Sequence, residues 1–202
     1  MTSKWRTRML ALWLLSCGLN VLGGSVVGAW AAGPSLPAEL AQHEALRGKA
    51  IQVVVFVSPK CPCSRSHEAG LKRLQEKYAS AQPSVGFLGV HANDDVSAAE
   101  SRAHFLSGTG GTLGFAVVEH PSAAVLEGLP ALKTPHVFVF RSAGDARRPE
   151  APVLVYRGGV DDAHDAADAK KHYLEEVLAA LVAGKPSPHT QTRVLGCVIA
   201  RK

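Results

Sequence analysis

Two cysteines stand one residue apart where a strand pattern is predicted to give way to a helix. Residues 52–57 form an apolar, β-branched run, Cys61-Pro62-Cys63 follows, and apolar side chains then recur at helical spacing over residues 65–79. A helix N-terminus stabilises a thiolate through its free backbone amides and the helix dipole, and proline is tolerated in the first helical position. The pattern predicts that Cys61 is a redox-active thiol; the alternative is a buried structural cysteine.

Positive and metal-binding side chains flank this pair. Lys60, Arg65 and His67 are predicted to add positive charge close to Cys61. Cys63 and His67 are four residues apart and so share one face of a helix. Because thiolate and imidazole ligands suit soft metals, Cys61, Cys63 and His67 form an alternative Cu(I) site. The other interpretation of His67 is a solvent-exposed helix residue.

The first 31 residues differ in composition from the rest of the chain. They have a basic start without acidic residues, then an apolar stretch that ends in Ala29-Trp30-Ala31. This order is typical of a secretory signal peptide, so we predict a periplasmic or otherwise exported protein with cleavage after Ala31. An uncleaved leader would anchor the protein in the membrane. Residues 32–50 are predicted to be a connector, and residues 51–202 one domain with a C-terminal cysteine tail.

The remaining cysteine of the body, Cys197, lies near the C-terminus. An odd number of cysteines in an exported body leaves one thiol spare, or the disulfide partners change during the reaction. Three cysteines cannot supply a four-ligand zinc site alone. Cys197 is therefore a candidate resolving thiol, and packing among the apolar residues around it is the alternative.

Composition and element order indicate the fold class. The 202 residues are 47% hydrophobic and 19% charged with a net charge of +5, which fits one globular domain. Most of that charge lies in the leader, so the body offers no nucleic-acid surface. The pattern predicts strands near residues 52–57, 85–90, 137–140 and 153–156, and helices at 65–79, from a cap at Asp94 or Asp95 to 106, and at 166–183. This order predicts an α/β fold with a central mixed β-sheet flanked by helices.

Several segments resemble the thioredoxin-like superfamily. Residues 56–64 (FVSPKCPCS) are similar to its active-site turn, in which a cysteine opens a helix. Thr134-Pro135 resembles its cis-proline loop, and residues 156–162 (YRGGVDD) resemble the segment after its hairpin. Together with residues 90–93 (VHAN) and the closing residues 196–199 (GCVI), the set is most similar to the exported redoxin (AhpC/TSA-like) branch.

Some residues depart from the pattern of the superfamily. Ser64 stands where thioredoxin has its second active-site cysteine, and Lys60 replaces the tryptophan that usually precedes the first. His136 follows Pro135, so the resemblance implies that it lies near the cysteines, where it would influence the thiolate or simply begin the next strand.

The resemblance implies a thioredoxin-like fold and thiol–disulfide exchange. Cys61 would attack a partner disulfide, Cys63 or Cys197 would resolve the mixed disulfide, and Thr134 and Pro135 would present backbone groups to the bound partner strand. Expected partners are protein thiols or disulfides of the cell envelope and a thiol reductant, without nucleic acid and without a cofactor. The alternatives are a thiol peroxidase that forms a sulfenic acid at Cys61 and a periplasmic Cu(I) carrier or chaperone.

Overall fold

A five-stranded mixed sheet forms the centre of the computed structural model, which describes residues 34–142 and 151–201. The strand order is β3-β2-β1-β5-β6. The strands are β1 (Ile51–Phe56), β2 (Val85–His91), β3 (Val117–Glu119), β5 (His136–Arg141) and β6 (Val153–Gly158). β1, β2 and β3 are parallel, and β5 is antiparallel to both β1 and β6. A separate short pair joins β4 (Lys133–Thr134) to β7 (Cys197–Val198).

Helices cover both faces of this sheet. They are α1 (Ala38–Ala41), α2 (Pro62–Tyr78), α3 (Ala98–Phe105), α4 (Ala123–Gly128) and α5 (Tyr173–Val182), with a short 3-10 helix at Ala166–Asp168. Helices α2 and α5 pack on one face together with Phe105, and α1 and α4 pack on the other. The predicted fold class, a mixed sheet flanked by helices, is confirmed.

Strand β1 is apolar at five of its six positions, and its surroundings explain why. All six of its residues are buried. Val53 and Val55 belong to the core under α2 and α5, whereas Val54 and Phe56 belong to the core under α1 and α4. Because successive side chains point to opposite faces, a strand covered on both sides favours apolar residues on both of its faces.

The helix predicted at residues 166–183 is interrupted in the structure. Only the 3-10 turn and α5 are helical, and Lys170 and Lys171 lie between them. The Asp162 carboxylate accepts hydrogen bonds from the backbone amides of Lys170 and Lys171 at 2.8 and 2.9 Å. A distant side chain thus takes the amides that a continuous helix would have used.

The start of α3 also differs from the prediction. Its N-cap is Ser97 rather than Asp94 or Asp95, and Ser97 forms a capping box with Glu100. Each side chain bonds the other residue's backbone amide, which satisfies two donors that a helix start leaves free.

The predicted leader, residues 1–31, lies outside the described residues, so export, cleavage and the domain boundaries stay predictions. Within residues 34–142 and 151–201, no helix has the length and apolarity of a membrane span.

Candidate active site

Cys61 is the N-cap residue of α2, directly beyond β1. Its backbone is extended, Pro62 occupies the first helical position, and the Cys61 sulfur accepts a hydrogen bond from the Ser64 amide at 3.4 Å. The side chain is buried, with 3% of its surface exposed. A sulfur in this position receives the backbone donors and the positive dipole end of a 17-residue helix.

Two further thiols lie beside Cys61. The sulfur atoms of Cys61, Cys63 and Cys197 are all within 4.8 Å of one another, and all three cysteines are reduced. Cys63 is in the first turn of α2, whereas Cys197 comes from β7 at the other end of the chain. Cys63 and Cys197 are partly exposed, so the cluster has a buried sulfur and two accessible ones.

Thr134 and Pro135 form the other wall of the cluster. The Thr134–Pro135 peptide bond is cis, and the Cys61 thiol donates to the Thr134 carbonyl oxygen at 3.1 Å. Thr134 also pairs with Cys197 across the β4–β7 ladder. A Cβ on Gly196 would lie 2.0 Å from the Thr134 oxygen, so only glycine permits the tail to approach this closely.

The tail that carries Cys197 is fixed before the cysteine. Tyr156 donates to the Gly159 carbonyl at 2.6 Å and shares a 2.7 Å hydrogen bond with the Thr192 hydroxyl. The Thr192 amide donates to the Arg157 carbonyl at 3.1 Å. The segment at residues 156–162, noted in the sequence for its resemblance, therefore anchors the tail on the edge of the sheet.

The tail is also fixed after the cysteine. Ile199 is buried in the core under α1 and α4, and its amide donates to the Leu132 carbonyl at 3.0 Å. The Asp94 amide donates to the Ala200 carbonyl at 2.9 Å. Cys197 is therefore held in place from both sides.

The three thiols differ in how readily they ionise. Burial opposes ionisation of Cys61, but hydrogen bonding by the side chains of Cys197 and Thr134 and by the Ser64 amide holds the pKa of Cys61 below that of an ordinary thiol. Burial raises the pKa of Cys63, and so does the neighbouring charge on Cys61. Burial and the Cys61 thiolate raise the pKa of Cys197 to about 12. A thiol that ionises more readily than its two neighbours is the arrangement that a nucleophile and a resolving group need.

His67 does not point at the sulfur atoms. Its Nδ1 lies 2.6 Å from the Cys63 carbonyl oxygen and its Nε2 lies 3.0 Å from the Asp161 carboxylate. Burial opposes protonation of His67, but these hydrogen bonds to Asp161 and to the Cys63 carbonyl raise its pKa above the ordinary value. With both nitrogens engaged and only 2% of the residue exposed, His67 is neither a solvent-exposed residue nor a free metal ligand.

The predicted source of positive charge near Cys61 is also different. Lys60 donates to the Asp95 carbonyl and His67 binds Asp161. The hydrogen bonds to Cys61, rather than these cations, account for its lowered pKa.

His136 lies on the face of the sheet away from α2. It stacks on Phe138 with ring centroids 4.5 Å apart, and Phe138 belongs to the core under α1 and α4. Burial, followed by the charge of Arg157, lowers the pKa of His136 to about 4. Of the two roles expected for His136, beginning the strand is the one that this geometry supports.

Two residues near the site carried no role in the sequence analysis. Asp161 anchors His67, and His164 places its Nδ1 3.6 Å from the Cys63 sulfur. Asp161 lay within the resemblance at residues 156–162, which gave it no function. His164 is 101 residues from Cys63 in the chain, so no local spacing could have indicated it.

Comparison with known proteins gives structural neighbours. No family model and no curated protein matches the chain. An uncharacterized conserved protein from Geobacillus kaustophilus is 25% identical with a TM-score of 0.60, over 76% of this chain and 78% of that one. A hypothetical protein from Sinorhizobium meliloti 1021 is 24% identical with a TM-score of 0.60, over 76% and 81%. A thioredoxin-like protein solved in its oxidized form is more distant, at 14% identity and a TM-score of 0.48, over 76% and 97%.

The structure itself identifies the fold. A mixed sheet with helices on both faces carries a cysteine at the start of the helix that follows its central strand. A cis-proline loop faces that cysteine from the start of the antiparallel strand β5. On these features the chain has the thioredoxin-like fold.

Proposed function

We propose that the protein is a thiol–disulfide oxidoreductase with Cys61 as its nucleophile. One observation carries this proposal: a thiol with a lowered pKa lies within 4.8 Å of two thiols whose pKa is raised. The thioredoxin-like fold and the cis-proline loop support it.

The reaction would proceed in two exchanges. The Cys61 thiolate attacks one sulfur of a partner disulfide, a Cys61–partner disulfide forms, and the partner's other sulfur leaves as a thiolate and takes up a proton. Cys197 or Cys63 then loses its proton and attacks the Cys61 sulfur, which releases the partner as a dithiol. The protein is oxidised to a disulfide and the partner is reduced; the reverse direction uses the same bonds.

The geometry favours Cys197 as the resolving thiol. Its pairing with Thr134 places it on the short strand beside Cys61, and its hydrogen bond to Cys61 is among the causes that lower the pKa of Cys61. Cys63 remains the second candidate, since it lies in the same sulfur cluster.

The predicted leader indicates the compartment in which the reaction would take place. If residues 1–31 direct export, the partners are thiols or disulfides of envelope proteins, and a thiol reductant completes the cycle. The exported redoxin branch is the part of the superfamily that these features fit best.

Thiol peroxidase activity is the second candidate, and the tail favours it. Thr134 and Pro135 were expected to present backbone groups to a partner strand, but β4 already pairs with β7. A protein partner would have to displace that strand, whereas a peroxide would not. The Cys61 thiolate would take one peroxide oxygen to become a sulfenic acid and release an alcohol or water, and Cys197 would then form the disulfide and release water.

Trapping of mixed disulfides tests the proposal. The full chain, with Cys17→Ser throughout so that only the body cysteines react, is incubated with a disulfide substrate such as oxidised glutathione. Cys61→Ser should abolish exchange, and Cys197→Ser should accumulate a mixed disulfide at Cys61. Exchange that persists in Cys61→Ser would refute the proposal. Consumption of hydrogen peroxide with dithiothreitol, dependent on Cys61, would favour the peroxidase instead.

A further inference from the structure

The three-sulfur cluster contains one thiol more than a disulfide uses. Any disulfide joins two of Cys61, Cys63 and Cys197 and leaves the third unpaired. In the reduced protein all three sulfur atoms converge within 4.8 Å. Such convergence of soft ligands is the main requirement of a thiolate metal site.

The elements that carry the sulfur atoms are fixed in position. The first turn of α2 is held by His67, which bonds the Cys63 carbonyl at 2.6 Å and Asp161 at 3.0 Å. Strand β7 is held by its pairing with Thr134 and by the buried Ile199. The sulfur atoms are therefore brought together by the fold before any ion binds, which lowers the entropic cost of binding.

We propose that the reduced protein binds one Cu(I) ion through the sulfur atoms of Cys61, Cys63 and Cys197. Thiolates are soft ligands and select soft cations such as Cu(I). Zinc sites of this kind take a fourth ligand, and the cluster in the described residues contains three sulfur atoms. His164 approaches only the Cys63 side of the cluster, at 3.6 Å, and stands outside the three-sulfur group.

This ligand set differs from the one that the sequence indicated. Cys61, Cys63 and His67 shared a helical face, but both nitrogens of His67 are bonded to oxygen atoms. Cys197, which arrives from the tail, takes the third position instead.

Binding requires no redox change. Three Cu–S bonds form, each cysteine binds as a thiolate, and the thiol protons still present are released to solvent, while the oxidation states of copper and sulfur do not change. The partly exposed Cys63 and Cys197 give the ion a route to the buried Cys61. Because the site needs only reduced cysteines, it does not depend on disulfide exchange.

An anaerobic competition experiment tests the proposal. The reduced full chain carrying Cys17→Ser is titrated with Cu(I) in the presence of bathocuproine disulfonate, and the parental chain, which keeps Cys17, serves as the matched control. One Cu(I) per chain should be withheld from the chelator. X-ray absorption of the loaded protein should show that copper has three sulfur neighbours and no nitrogen neighbour. A spectrum with two sulfur neighbours would overturn the proposal, and this measurement needs no substitution at the site.

Single substitutions then identify the ligands. Cys61→Ser, Cys63→Ser and Cys197→Ser should each weaken Cu(I) binding more than about 100-fold, which exceeds the usual effect of changing a residue that only supports a ligand. His164→Ala should have a much smaller effect. Unchanged affinity in Cys197→Ser, or a loss in His164→Ala equal to that of a cysteine, would overturn the three-sulfur site. If the Cys17→Ser chain binds Cu(I) as expected but shows no thiol–disulfide exchange, only the proposed function is refuted.

Discussion

The lowered pKa of Cys61 is explained by the hydrogen bonds that its sulfur accepts. The Ser64 amide and the Cys197 thiol both stabilise a negative sulfur, and their combined effect exceeds the cost of burial. Cys63 is two residues further along, in the first turn of α2, and its pKa is shifted in the opposite direction, because burial and the charge on Cys61 both disfavour its thiolate. Two cysteines of the same sequence motif are thus distinguished by about half a helical turn of backbone.

The first prediction concerns the ionisation of these thiols. In the reduced Cys17→Ser chain, ultraviolet absorbance should show one thiolate forming below the free-cysteine pKa of about 8.5. That transition should vanish in Cys61→Ser and persist in Cys63→Ser. Cys197→Ala should move it to higher pH because a hydrogen-bond donor is lost, whereas Cys197→Ser, which keeps a hydroxyl donor, should move it less. A lowest transition that survives in Cys61→Ser would contradict the assignment.

The second prediction concerns His67 and Asp161. The folded-state pKa of His67 is raised, so its protonated form binds Asp161 with a stabilising effect that is complete below the unfolded pKa of about 6.5. The effect should disappear as pH rises through the folded pKa. Urea unfolding should therefore show Asp161→Asn to be less stable than the wild type, with a deficit that shrinks with rising pH across that window.

Asp162→Asn is the matched control for this prediction. Hydrogen bonds from the amides of Lys171 and Lys170 lower the pKa of Asp162, so its contribution titrates in acid. Its deficit should stay constant over the window in which the deficit of Asp161→Asn falls. Parallel pH profiles of the two variants would show that His67 is not the titrating group.

At the scale of elements, the short strand β7 sets the geometry of the site. It pairs with β4 through Thr134–Cys197 and Lys133–Val198 only, yet the tail is fixed on both sides of it, by the hydrogen bond of Thr192 to Tyr156 of β6 and by Ile199 in the core. A two-residue ladder alone would be marginal, so the position of Cys197 depends on these anchors.

The third prediction tests this dependence with a single methyl group. Gly196→Ala would place a Cβ 2.0 Å from the Thr134 oxygen and force β7 away from β4. We expect oxidation of this variant to give less Cys61–Cys197 disulfide, measured by peptide mapping, and the pKa of Cys61 to rise. Gly70→Ala is the control, since its Cβ would meet nothing closer than the Arg73 side chain at 3.9 Å. Equal disulfide yields in the two variants would contradict a positioning role for Gly196.

At the scale of the whole molecule, the sheet and the position of Cys61 follow from local patterns. A β-branched run followed by a cysteine, a proline and an amphipathic helix indicates β1 and α2 without knowledge of the rest of the chain. Helix α5 was less predictable, because Asp162 interrupts the alanine-rich segment from eight residues away. The contacts of His67 with Asp161 and of Cys63 with His164 join residues about a hundred positions apart, which periodicity cannot detect.

The last prediction follows from the separation of Cys61 and Cys197 in the chain. A disulfide between them would close a loop of about 135 residues, and the chain-entropy model gives such a link about 5 kcal/mol of stabilisation before any strain. The oxidised Cys17→Ser chain should therefore unfold at higher urea concentration than the reduced chain. Cys197→Ser should remove that difference, and Cys63→Ser should preserve it. A Cys61–Cys63 disulfide would close a loop too short to constrain the unfolded chain. If oxidation does not stabilise Cys63→Ser, then Cys61 and Cys63 form the working pair, and Cys197 serves the packing of the tail.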